Sequence, residues 1–121
     1  MTMPQHHDES LDVLQLLSQL YLRHGRPDSA LALLRAVCVL EPDDRRASLT
    51  LAHAATRAGQ PRESERVVDR LRDEGEPSPV LDLLQGQALA AQGRHGEAEQ
   101  AFENFIERRL AEQRTPKGTG R

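Results

Sequence analysis

The sequence predicts an all-α protein, three tandem helix–turn–helix repeats wound into a short right-handed solenoid. Three observations lead there. Gly25 is followed 34 residues later by Gly59, and 34 residues after that by Gly93, each closing an apolar helical pattern. The neighbours keep the same spacing. Small residues stand seven before each glycine (Ser18, Ala52, Gly86) and five after it (Ala30, Ser64, Ala98), with a bulky apolar one nine after (Leu34, Val68, Phe102). Proline punctuates the units as well: Pro42 ends the first and Pro77, one residue later in register, ends the second. Small residues at these offsets let the two helices of a unit cross closely, and the bulky ones fill the space beside them.

Taken in order, the first helix begins near Ser10, whose hydroxyl suits an N-cap, and carries Leu11, Leu14, Leu17 and Tyr21 on one face. Gly25 stops it by tolerating positive φ. The second helix opens at Pro27 and Asp28 and runs to about Leu40. The third starts at Asp43 or Asp44, whose carboxylates favour a helix N-terminus, and reaches Ala58. The fourth opens at Pro61 and ends before "EGEPSP". The fifth spans Ser78 or Pro79 to Gln92, and the sixth runs from His95 to about Gln113, longer than its counterparts. The expected division is a flexible tail over residues 1–9, a three-repeat domain over 10–113 (units of about 11–44, 45–78 and 79–112), and a disordered tail over 114–121.

Composition narrows the function. The chain is 37% hydrophobic and only 2% aromatic, so Leu and Ala must carry the packing. Net charge is -3, with basic and acidic residues mixed along the length. No basic stripe is available to neutralise phosphates, so nucleic acid is not an expected partner. No apolar run approaches a membrane span, and "MTMPQHHDES" lacks the charged-then-apolar order of a signal peptide, so a soluble cytosolic protein is expected, without membrane insertion. Cys38 is alone, which rules out a disulfide within the chain, and in "RAVCVL" it reads as a small buried hydrophobe.

The sequence offers no catalytic pattern. Among His6, His7, His24, His53 and His95, only "HHDE" groups metal-ligand types, and it falls in the expected tail. There is no His-Glu-x-x-His pair, no cysteine cluster, no phosphate-binding glycine loop and no serine in a nucleophile elbow. "GRHGEAE" is a helix–helix turn without the preceding strand a phosphate loop needs. No catalytic residue, cofactor or metal is expected, and the protein reads as a non-enzyme.

Recognition by a groove remains. Stacked units should present the first helix of each pair on a concave face. Its lining is expected to comprise Asp12, Gln15, Gln19, Leu22 and Arg23, then Arg46, Leu49, His53 and Arg57, then Val80, Leu83, Gln87 and Ala91. An amphipathic helix laid there would bury its apolar stripe. In the last helix, Phe102, Phe105, Ile106 and Leu110 would meet the first helix of a following unit, and none is expected, so this face should want a partner. The candidate partner-binding residues are therefore Leu22, Arg23, Leu49, His53, Arg57, Leu83, Gln87, Phe102, Phe105, Ile106 and Leu110.

A 34-residue helix–turn–helix period is that of a tetratricopeptide array. The stretches "LDVLQLLSQLYLRHGRPDSALALLRAVCVLEPDD" and "LLQGQALAAQGRHGEAEQAFENFIERR" make the chain resemble, more narrowly, the small tetratricopeptide chaperones of bacterial type III secretion, YscY type. That family opens with a leucine-rich helix into such a turn. It closes with Ala, two spaced aromatics and an aliphatic, as Ala101, Phe102, Phe105 and Ile106 do here. The resemblance implies a chaperone that forms a heterodimer with a small helical export protein (YscX type) and presents it to the export-gate protein. It would act in the bacterial cytoplasm, peripherally at the inner membrane. Related possibilities are a co-chaperone of the needle subunit (YscG type), a translocator chaperone (usually longer), or a generic adaptor or self-associating scaffold. Adaptors that clamp a chaperone's C-terminal carboxylate place Lys, Arg and Asn at inward positions that here hold Gln15, Gln19, Thr50, Val80 and Leu84, so that role is not implied.

Overall fold

The computed structural model describes residues 3–114, with the backbone alone for residues 3–9. Six helices make up these residues: α1 (Met3–Arg23), α2 (Pro27–Leu40), α3 (Arg45–Arg57), α4 (Pro61–Asp73), α5 (Val80–Ala91) and α6 (His95–Arg114). No strand occurs among them. The fold is a helical solenoid of tandem helix–turn–helix units, as the period requires.

The three spaced glycines do one job three times. Gly25, Gly59 and Gly93 have φ of +72°, +81° and +79°. The residue after each turns its N–H back across the helix end. Arg26 donates to the Tyr21 carbonyl at 2.8 Å, Gln60 to Ala55 at 2.7 Å and Arg94 to Leu89 at 3.0 Å. This six-to-one closure satisfies carbonyls that a helix end leaves without partners. Pro27 and Pro61 then open the next helix at positions needing no N–H. At the start of α3 the Asp44 carboxylate accepts from the Ala47 N–H at 3.0 Å, the cap expected of it. Gly75, at φ +86°, makes the same closure at the end of α4, with the Glu76 N–H on the Leu71 carbonyl at 2.9 Å.

Helix ends differ from expectation at the termini. α1 starts at Met3, not Ser10, so the expected loose segment 1–9 is helical from residue 3 onward. The physical reason is that Pro4 sits in the first turn, where proline is tolerated, and nothing between it and Ser10 breaks a helix. α6 takes in Arg114, and the rest of the expected tail lies outside the described residues.

Each helix packs against its neighbours in sequence, and α3 also meets α5. The main core joins Leu31 and Leu34 of α2, Leu51, Ala52 and Ala55 of α3, Val68 and Leu71 of α4, and Leu81 and Leu84 of α5. Size is matched across each crossing. Ser18 lies in the unit of Leu34, Ala52 in that of Val68, and Gly86 in that of Phe102, whose ring occupies the space a Cβ at residue 86 would need. Smaller clusters close the ends, Leu11, Val37 and Ala47 at one and Leu89, Ala98 and Ala101 at the other. Complete burial of a side chain such as Leu34 is worth about 1.5–3 kcal/mol.

Candidate interaction surfaces

The first helices of the units, α1, α3 and α5, share one side of the solenoid. Two contacts tie α1 to α3: the Gln15 amide donates to the Asp44 carboxylate at 3.0 Å, and Arg57 Nη1 donates to the Leu22 carbonyl at 3.1 Å. Between them opens a hollow lined by Asp12, Gln15, Leu16, Gln19 and Arg46, four of which the sequence places on the groove. Farther along, Leu49, His53, Leu83 and Gln87 are half-buried, and Arg23 and Arg57 are exposed.

One expected groove residue is elsewhere. Leu22 is 6% exposed and belongs to the main core, because its side chain turns under α3 instead of standing on the rim. It offers no surface to a partner. Arg57 keeps its surface position but also caps a carbonyl at the end of α1, a structural use the sequence did not suggest.

On α6, Phe102 packs beside the end cluster of Leu89, Ala98 and Ala101 and is half-buried, as is Phe105. Ile106 and Leu110 are 53% and 46% exposed. Sequence reasoning missed a second apolar stripe on α1, in which exposed Val13, Leu16 and Leu20 are joined by Leu17, a residue expected on the packed face with Leu11 and Leu14 but itself exposed. Its signal was present: from Leu11 on, α1 carries aliphatic side chains over a wider arc than one packed face needs, leaving only the Asp12, Gln15 and Gln19 side polar. A further hollow among α2, α3 and α4 is lined by Cys38, Val39, Leu51 and Val67 together with Arg35 and Arg70.

Polar side chains lock the units together. Asp82, buried, accepts from Arg72 Nη2 at 2.7 Å and from Arg108 Nη1 at 2.8 Å, joining α4, α5 and α6. Arg108 also donates to the Pro77 carbonyl at 2.6 Å. Arg35 bonds Glu63, and that hydrogen bond holds the Glu63 carboxyl below its ordinary pKa. Burial pushes the Cys38 thiol up, against smaller opposing effects from Ser48 and Arg70. Cys38 is half-buried, less enclosed than its sequence context suggested.

Among the described residues no three His, Cys, Asp or Glu side chains are grouped to hold a metal ion, and no helix is long and apolar enough to cross a membrane. The side chains of His6 and His7 lie outside the described residues. A family model described as tetratricopeptide repeat matches residues 21–88, and a second model of the same description matches residues 79–104. A search of curated proteins gives no match.

Proposed function

Because this chain belongs to the tetratricopeptide-repeat family, a non-catalytic repeat fold, we propose that it is a protein–protein interaction module that holds a segment of another protein along α1, α3 and α5. The observation that supports this is the hollow lined by Asp12, Gln15, Gln19 and Arg46, continued by half-buried Leu49, His53, Leu83 and Gln87. Arg23, Arg46 and Arg57 are exposed along it against the single exposed carboxylate of Asp12. An amphipathic helix fits this face, with its apolar stripe toward Leu49 and Leu83 and acidic residues toward the arginines. The test is site-specific photo-crosslinking in the host cell. A crosslinker at Gln19 or Gln87 should capture one protein, and one at Asp69, exposed on α4, should not. Equal capture from both faces would remove the groove reading.

A narrower reading rests on the resemblance to type III secretion chaperones, in which a small helical export protein of the YscX type, or a needle subunit, covers α6. The bare Ile106 and Leu110 beside Phe105 support it. On this reading the pair forms in the bacterial cytoplasm and meets the export gate at the inner membrane. Ile106→Asp and Leu110→Asp should abolish co-purification with that client and leave the helical circular dichroism unchanged. Normal client binding by both variants would end it.

A further inference from the structure

We propose that copies of this chain stack head to tail, the outer face of α6 in one copy covering the outer face of α1 in the next. This contact needs neither the groove nor its occupant. The 34-residue period gives each residue of the first unit mates 34 and 68 positions along.

Val13 and Leu20 are 62% and 41% exposed, whereas their mates are enclosed: Ala47 and Leu81 for Val13, Ala54 and Ala88 for Leu20. The enclosure comes from α2 packed over α3 and α4 packed over α5. In the first of these junctions, Val37 sits on Ala47. The α1 sequence thus carries a junction surface, with aliphatics larger than alanine, that nothing covers among the described residues. α6 shows the matching half. Val37 and Leu71 are buried, and their mate Phe105 is only half-buried.

The two bare halves also agree in polarity. In the α2–α3 junction the same contact slot brings Cys38 close enough to Ser48 for that residue to act on its thiol, and in the α4–α5 junction it holds the Arg72–Asp82 ion pair, supported by Gln85. At the next junction the slot would pair Ile106 with Leu14 and Leu17 of the following copy. Thiol meets hydroxyl, cation meets anion, and aliphatic meets aliphatic.

Length gives a further, independent argument. α1 has 21 residues and α6 has 20, against 12 to 14 in the helices between them. Within the chain a short turn sets the C-terminus of α2 beside the N-terminus of α3. The extra turns of α6 and α1 lie at those same ends, so the stacked contact would run longer than the internal ones. A two-fold pairing of α6 with α6 would leave the α1 stripe bare. The head-to-tail contact covers both, and being heterologous it adds copies without stopping at two.

The experiment uses the 121-residue chain in sedimentation velocity and light scattering over a concentration series, with Val13→Asp and Ile106→Asp as exposed substitutions whose folding is checked by circular dichroism. The wild type should grow beyond two copies as concentration rises, and each variant alone should stay at one copy. Mixed in equal amounts, the variants should form a complex of two copies, since one still has a sound tail and the other a sound head. A wild-type chain that stays at one copy throughout would overturn the proposal. So would association by the Val13→Asp variant alone, which marks a two-fold α6 contact, or a mixture that remains at single copies.

Discussion

Ser64 shows how the repeat fixes a residue's size but not its polarity. Its mates Ala30 and Ala98 fill the same crossing with a methyl group, and the Ser64 hydroxyl is buried there with no hydrogen-bond partner among the described residues. Ser18, by contrast, returns its hydroxyl to the Leu14 carbonyl at 2.8 Å. Burying a hydroxyl without a partner costs about 1–3 kcal/mol. Ser64→Ala should therefore stabilise the fold by about 1 kcal/mol, read as a higher urea midpoint at unchanged slope. Cys38 gives a second residue-scale prediction. Its thiol is held above the ordinary value by burial, so the native state keeps the proton more firmly than the unfolded chain does. The stability this lends is complete below the unfolded thiol's pKa and is lost as pH rises through the folded one. Alkylation followed against pH should have its midpoint higher in native protein than in urea-unfolded protein, and stability should fall on the alkaline side in wild type but less in Cys38→Ala.

At the scale of elements, turns were legible in the sequence and junctions were not. Gly25, Gly59 and Gly93 announced three helix ends because positive φ selects glycine regardless of the rest of the molecule. Pro27, Pro61 and Asp44 were legible for the same local reason. The start of α1 was misread because Ser10 is a good cap only where a helix has cause to begin, and the residues before it continue helical. Leu22 was placed on the groove by its register and lies in the core, because an aliphatic at a half-inward position gains more by turning under α3. Asp82 was invisible: a carboxylate early in a helix reads as a favourable charge at the positive end of the dipole, and only the fold brings Arg72 and Arg108 to it. This triad should be the main polar tie across α4, α5 and α6. Both arginines are partly exposed, which softens the loss. Asp82→Ala should still cost about 1–3 kcal/mol. Arg72→Ala, which leaves Arg108 on the carboxylate, should cost less, and urea unfolding of the two single variants and the double variant measures the coupling.

For the molecule as a whole, the pattern of contacts sets how it opens. Each helix leans on its neighbours in sequence, with α3 on α5 as the one substantial addition among the described residues. Stability in such a stack is close to a sum of unit and junction contributions, so the middle is held from both sides and each end from one. The main core draws on α2 to α5, and α6 contributes to a separate end cluster of Leu89, Ala98 and Ala101. Hydrogen exchange at low concentration should therefore be slowest in α3 and α4, faster in α5, and fastest in the outer turns of α1 and α6. Concentration should then change the ends and spare the middle. If a second copy covers Val13 to Leu20 and Phe105 to Leu110, amides in those two stretches slow together as copies accumulate, while α3 and α4 stay as they were. Slowing confined to α6 would mean that the helix is covered by its own kind across a two-fold axis. No slowing anywhere would mean that both greasy ends stand bare in water, at a cost the rest of the solenoid must offset.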